Sequence, residues 1–258
     1  LAKVKISVFF VTLNEAQTIE AAIRSVAGVD EIVVVDSGSS DGTVDICQRL
    51  GAKVIHQEWM GFAKQKAFAL EQCRNEWCFN LDGDEVVTAG ALAEIQGLVE
   101  NDQCDLIRLP FEDVFMSAPM HHLSRKRSII RVFKKSKASY PTDKTVHENV
   151  ISRGRVLKIK NHIIHYGYCD AATLMDKQNK YSSLGAQDKF KKGKRASRLK
   201  LLLVFPLIFL KCFLLRKLFL SGTRGFIQAY IEAMYAFLKE AKLYELEYLE
   251  KEEKDSKR

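Results

Sequence analysis

Four short β-rich runs, separated by stretches with helical spacing and each leading into polar residues, constrain this chain more than anything else in it. The runs cover residues 5–11, 31–36, 53–56 and 77–82. Between them, Ile19, Ala22, Ile23 and Val26 recur at helical intervals across residues 16–27, residues 44–50 form a second helical stretch, and Phe62, Lys66, Ala69 and Cys73 mark a third across residues 61–73. Near-continuous apolar strands are expected where a sheet is covered on both faces. A βαβαβαβ order with right-handed crossovers predicts an α/β chain, a Rossmann-like, doubly wound and mostly parallel sheet. Ligands of such sheets bind beyond the carboxyl ends of the strands. Asn14, Asp36, Asp82 and Asp84 all fall on that edge.

The fourth run, Trp77-Cys78-Phe79-Asn80-Leu81, ends in Asp82-Gly83-Asp84-Glu85. Residues two apart on a strand share a face, so Asp82 and Asp84 are expected to project together from its carboxyl end, with Gly83 letting the backbone turn there. Two neighbouring carboxylates repel unless a cation sits between them, and oxygen ligands suit Mg²⁺ or Mn²⁺. A solvated acidic turn would look the same over three residues.

Two common nucleotide-binding patterns are missing. The first strand is followed by Thr12-Leu13-Asn14-Glu15 and not by the glycine-rich turn of a dinucleotide site, and no P-loop sequence occurs.

Val11-Thr12-Leu13-Asn14-Glu15, Val34-Val35-Asp36-Ser37-Gly38-Ser39-Ser40-Asp41-Gly42-Thr43 and Leu81-Asp82-Gly83-Asp84-Glu85 resemble, in order and spacing, three signatures of the family 2 inverting glycosyltransferases of GT-A fold. Trp59-x-Gly61-Phe62-Ala63-x-Gln65-Lys66 and Val146-His147-Glu148 are similar to the subgroup that adds glucose to the heptose region of the lipopolysaccharide inner core. The resemblance implies a UDP-hexose donor, a lipopolysaccharide core acceptor and Mn²⁺ or Mg²⁺ as cofactor. It places Thr12, Asn14, Glu15, Asp36, Lys64 and Asp82 at the donor, with Asp36 near uracil or ribose, and Asp84 on the metal together with Asp82. Lys66 falls on the same helix as Lys64, and either lysine could equally be solvated.

An inverting transfer needs a base for the acceptor hydroxyl. Glu148 matches the Val-His-Glu signature and is the preferred base. Asp113, in Glu112-Asp113, resembles the Glu-Asp pair that supplies the base in many family 2 enzymes, and could instead cap a strand. His165, closing the strand-like residues 161–165, could reach the metal or diphosphate, or be structural. His121-His122 and Arg125-Lys126-Arg127 depart from the family pattern, and the basic cluster could meet core phosphates or water.

The chain's 258 residues, 47% apolar, allow a substantial core. Six cysteines without a Cys-x-x-Cys spacing read as reduced core thiols of the cytosol, and with a strand almost at the start no secretory signal is expected within these residues. The net charge of +8 is local: residues 189–231 hold eleven Lys/Arg and no acid, leaving 29 basic against 32 acidic residues elsewhere. Within that stretch lies the apolar run 201–210, too short to span a bilayer. Residues 1–190 are therefore expected to be the GT-A catalytic domain. Residues 191–258 are expected to form basic, amphipathic helices lying on the anionic cytoplasmic face of a bacterial inner membrane, with a fraying charged tail after Leu249. A buried core helix with a basic shoulder is the other reading of the same run.

A polyprenyl-phosphate sugar synthase would share the donor motifs but need no strong base. A basic protein binding membranes or nucleic acid would not need Asp36, Asp82 and Asp84 together, and no nucleic-acid partner is expected.

Overall fold

The computed structural model describes residues 4–141, 150–168 and 170–256. It divides into two compact units, residues 1–113 with 126–167, and residues 114–125 with 168–258.

The first unit opens with the expected alternation: β1 (Val4–Thr12), α1 (Ile19–Ser25), β2 (Val29–Asp36), α2 (Thr43–Arg49), β3 (Lys53–His56), α3 (Phe62–Glu71), β4 (Trp77–Asn80), β5 (Glu85–Val87) and α4 (Ala89–Glu100). It continues with β6 (Leu106–Phe115), whose last residues pair with β7 (Ala118–Pro119) in the second unit. Then come β8 (Ser128–Lys134), β9 (Ala138–Ser139), β10 (Ile151–Ser152), β11 (Val156–Lys158) and β12 (Ile163–Tyr168). The main sheet runs β3-β2-β1-β4-β8-β6-β12-β5. Its first four strands are parallel, and β8 is antiparallel to both β4 and β6.

Alternation along β1 builds the two core layers. Ile6, Val8 and Phe10 pack with Ile19, Ile23, Cys47 and Ile95 of α1, α2 and α4. Phe9, with Val33 and Val35 of β2, packs on Ala69 and Leu70 of α3 and on Cys73 just beyond it. Helices thus cover both faces, which is why these strands carry so few polar residues. Cys47, Cys73, Cys78, Cys104 and Cys212 are buried, unpaired thiols.

The acidic run behaves differently from a continuing strand. β4 stops at Asn80, and Asp82-Gly83-Asp84 form a turn into β5, with the Glu85 N–H donating to Asp82 O at 3.0 Å. The register that would place both aspartates on one face is lost there.

The second unit is helical, with α5 (Ala171–Lys191), α6 (Arg198–Leu210) and α7 (Gly222–Ser256). Its core joins Phe115, Met120, Leu174, Cys212, Leu218, Ala229 and Ile231. α5 packs along α7 and so belongs here, although the charge pattern suggests a boundary near Lys191. α7 continues past Leu249, where fraying is expected, to Ser256. The Glu250–Lys254 pair one helical turn apart and the reach of Arg195 to Glu250 support that end.

Candidate functional site

The site builds up from the strand ends. Asp36 closes β2 and is buried. Its carboxylate accepts from Gly38 N at 2.8 Å, Ser39 N at 2.9 Å and Ser39 Oγ at 2.5 Å, with Thr12 Oγ1 at 3.5 Å. Most of its acceptor capacity therefore goes into capping its own loop. Asn14, at φ 56°, occupies the left-handed region that asparagine tolerates. Its N–H donates to Ser39 Oγ and its Oδ1 accepts from Ser40 N, both at 2.9 Å. Gln65, fully buried on α3, donates to Ser37 Oγ at 3.1 Å and to Gln57 O at 2.8 Å. Loop 37–40 is fixed from three directions, by β2, the first loop and α3. Glu15 joins this assembly to the acidic turn: its N–H donates to Thr43 Oγ1 at 2.8 Å, and a Cβ at Gly83 would lie 3.2 Å from Glu15 Cγ.

Cations of the protein itself meet two carboxylates of the acidic turn, Asp82 and Glu85. Arg131, in the middle of apolar β8, places Nη2 at 2.7 Å from Asp82 Oδ2 and 2.5 Å from Glu85 Oε1. Its Nη1 donates to Asn80 Oδ1 at 2.9 Å, which Tyr140 also approaches at 3.3 Å. Lys66 Nζ lies 3.2 Å from Asp82 Oδ1. Burial pushes the Asp82 carboxyl up, but Arg131 and Lys66 outweigh it and hold it well below the usual carboxylate range. For Glu85 burial prevails over Arg131 and, with the adjacent Asp82 charge, pushes it up to about 7. Glu85 Oε2 also accepts from Asp82 N at 3.1 Å, fixing the turn.

Asp84 is directed elsewhere. Its Oδ2 lies 3.6 Å from His165 Nε2, and its carbonyl accepts from Tyr166 N at 2.8 Å. On the other side of the ring, His165 Nδ1 lies 3.0 Å from Asp113 Oδ1. Arg127 Nη2 stands 3.3 Å from that same oxygen. Since an ionised carboxylate only accepts, Nδ1 carries a proton toward Asp113, and Nε2 is the ring nitrogen that faces Asp84.

This donor set fits a divalent cation. The carboxylate oxygen suits either Mn²⁺ or Mg²⁺ and the imidazole nitrogen the softer Mn²⁺, ions that commonly use few protein ligands and complete their shell with phosphates and water. Among the described residues no three His, Cys, Asp or Glu side chains are grouped to hold a metal without such help. The space beside the pair depends on glycine. A Cβ at Gly167 would fall 2.4 Å from His165 Nε2 and 2.7 Å from Asp84 Oδ2.

The structure thus brings Thr12, Asn14, Glu15 and Asp36 together around one loop, and Asp84, His165 and Asp113 around another point. Asp82 is salt-bridged to Lys66 and Arg131. On α3, Lys66 is buried against Asp82 while Lys64 is exposed. Glu148 and its neighbour His147 lie outside the described residues. Of the basic cluster, Lys126 pairs with Glu112 at 2.8 Å, which also meets His162 at 3.1 Å, and Arg127 approaches Asp113. Arg131 escaped the sequence reading, and its signal was a single arginine inside the apolar strand Ser-Ile-Ile-Arg-Val-Phe.

The chain is similar to known proteins over most of its length. The chain is 34% identical over 256 residues to the lipopolysaccharide core biosynthesis glycosyltransferase LpsC of Rhizobium meliloti (strain 1021), covering 95% of this chain and 94% of that protein. An uncharacterized glycosyltransferase of Rickettsia felis is 35% identical over 257 residues, covering 93% and 90%. Among solved structures, residues 1–349 of S. aureus TarS share the fold with a TM-score of 0.50 at 15% identity, covering 95% of this chain and 91% of that one. Residues 7–156 match the family described as Glycosyl transferase family 2, and the chain belongs to that family.

Proposed function

We propose that the protein is an inverting, metal-dependent glycosyltransferase that moves a hexose, glucose in the first instance, from a UDP-sugar to the heptose region of a lipopolysaccharide core. The observation that carries this reading is the facing pair Asp84 and His165, beside a second carboxylate, Asp82, held by Lys66 and Arg131. The name of the Rhizobium relative supports the acceptor class. The acceptor's lipid anchor would put the reaction at the cytoplasmic face of the inner membrane, with the protein peripheral to it.

A divalent cation, when bound, supplies Lewis-acid stabilisation of the charge that collects on the leaving diphosphate. Asp84 and His165 Nε2 would hold it, and Asp113 keeps the imidazole in the tautomer that leaves Nε2 available. Asp82, fixed between Lys66 and Arg131, offers its remaining lone pairs to ribose hydroxyls, and the Lys66 ammonium offsets diphosphate charge. Asp36, Asn14 and Gln65 shape the nucleoside pocket by setting loop 37–40, with Thr12 and Glu15 bracing it. Glu148 takes the proton of the acceptor hydroxyl as that oxygen attacks the anomeric carbon from the face opposite UDP.

Thermal-shift measurements with UDP-, GDP- and dTDP-sugars, with and without Mn²⁺, test the donor, since a ligand that binds only the folded state raises Tm. Transfer to a heptose-terminated core, with NMR assignment of the new anomeric centre, tests the acceptor and inversion. Stabilisation by GDP-sugars alone, or transfer only to polyprenyl phosphate, would overturn the proposal.

A further inference from the structure

α6 is apolar on two sides. Phe205 and Phe209 pack on Tyr230 and Phe226 of α7, with ring centroids 5.0 and 5.5 Å apart. Leu199, Leu202, Leu203, Pro206, Leu207 and Leu210 recur at three- and four-residue intervals and so line the other side, and all are exposed. Leu202 is 74% exposed and Leu207 60%, values that put them in water if nothing covers them. The apolar surface continues beyond the helix to Leu215, also 74% exposed. A helix apolar all round is ordinarily enclosed by protein or lipid. No residue of α6 is buried, so the alternative of a core helix does not hold.

Charge decides what covers this surface. Among the eleven basic residues of 189–231, Lys189 and Lys200 pair with Glu240, Lys192 with Asp188, Arg195 with Glu250, and Arg216 approaches Glu232. Arg224 donates to the carbonyls of Phe115 and Ala118. Lys191, Lys194, Arg198, Lys211 and Lys217 are exposed and have no acidic partner among the described residues. They bracket the leucine stripe at both ends. A second copy docking by two-fold symmetry would set these like charges against one another, with no acid between residues 189 and 231 to answer them. An anionic bilayer surface answers both features at once. No helix among the described residues is long and apolar enough to cross a membrane. With 13 residues, α6 is about 20 Å long against a hydrocarbon core of about 30 Å, so it suits an in-plane position.

We propose that the leucine stripe of α6 inserts in plane into an anionic lipid bilayer, while the unpaired cations at its two ends meet the lipid phosphates. The inference deepens the reading of a lipid-anchored acceptor and takes its biological sense from it.

The test is sedimentation of the full chain with phosphatidylethanolamine/phosphatidylglycerol vesicles and with phosphatidylcholine vesicles. The wild type is expected to pellet with the anionic vesicles and to be released by salt. Each of Leu202→Gln, Leu207→Gln and Leu215→Gln should lower the partition coefficient about tenfold or more, without changing Tm, because these side chains are already in water. Each of Lys191→Gln, Lys194→Gln and Lys211→Gln should lower it about fivefold on anionic vesicles and not on neutral ones. Unchanged vesicle binding by the leucine variants would overturn the proposal. So would a wild-type dimer, without vesicles, that those variants turn into monomer, since the stripe would then be an interface between copies. Transfer to a detergent-dispersed acceptor is measured on the same samples. Vesicle binding without transfer would defeat the proposed function and leave the membrane surface standing, and transfer without vesicle binding would do the reverse.

Discussion

Asp113 Oδ1 and His165 Nδ1 lie 3.0 Å apart, linking the neighbouring strands β6 and β12 and turning the far nitrogen of the ring toward Asp84. A carboxylate engaged in this way orients a ligand, which is a different task from taking a proton from an acceptor. Asp113→Asn should therefore raise the Mn²⁺ concentration needed for half-maximal transfer about 10- to 100-fold and leave metal-free UDP binding unchanged. Mn²⁺ binding in the presence of UDP, followed by electron paramagnetic resonance, reads the effect without turnover. If kcat collapses while the Mn²⁺ dependence stays put, Asp113 is the base.

The same cradle depends on what position 167 lacks. A methyl group there would lie well inside contact distance of both His165 Nε2 and Asp84 Oδ2. Gly167→Ala should force one of them aside, and a displacement of about 1 Å near reacting groups costs on the order of 10²-fold in rate. Calorimetry of UDP binding with and without Mn²⁺ checks this, the metal-dependent increment being the part expected to vanish.

Much of this was legible in the sequence, for local reasons. β1, β2 and β4 announce themselves because both their faces are largely buried, the edge strand β3 by its Val54-Ile55 pair, and the loop after Asp36 because its small polar residues need a cap. What stayed hidden depends on long-range pairing. Nothing near Asp82 in the chain says that Arg131, 49 positions on, satisfies it. The sequence predicts a strand that ends at Asp82 with a turn at Gly83, but not that the Glu85 side chain accepts from Asp82 N and fixes that turn. The basic excess of the carboxyl-terminal region was plain from composition, but which lysines keep it is set by Asp188, Glu240 and Glu250.

Arg131 bridges Asp82 and Glu85 from a buried position, so its removal leaves carboxylates without their counter-charge. Arg131→Met should lower the unfolding free energy by about 3–5 kcal/mol in urea titrations. Adding Glu85→Gln, which removes one orphaned charge, should recover part of that loss. A double variant no more stable than the single one would show that the pair is not coupled.

In the second unit Glu240 of α7 is buried and meets Lys189 of α5 and Lys200 of α6. Burial pushes its carboxyl up, but the two ammonium groups prevail and hold it below its ordinary value of 4.5. For a carboxyl lowered on folding, the unfolded chain binds more protons as pH drops. The contribution is fully present above 4.5 and is lost as pH falls through the lowered value. Tm of the wild type should consequently fall more steeply than that of Glu240→Gln on acidification below 4.5. Above that pH the variant should be less stable by about 1–3 kcal/mol. Parallel Tm–pH curves would remove Glu240 as the cause.

The base is the step on which the transfer mechanism turns, and the proposal gives it to Glu148. Removing a general base typically costs ~10²–10⁴-fold, so Glu148→Gln should lower kcat by about that factor. The amide keeps the shape and hydrogen-bonding reach of the carboxylate but cannot take the proton. Donor affinity and the Mn²⁺ requirement should stay at wild-type values, because the residue is assigned to the acceptor. This separates Glu148→Gln from Asp113→Asn, in which the metal dependence is the quantity that moves. Slow hydrolysis of UDP-sugar gives a further distinction. Water needs less help than a hindered sugar hydroxyl in a site that still holds the donor, so hydrolysis should survive in Glu148→Gln better than transfer does. Near-normal transfer by Glu148→Gln would return the role to the Glu112-Asp113 pair, or to an acceptor that is already ionised, such as a lipid phosphate.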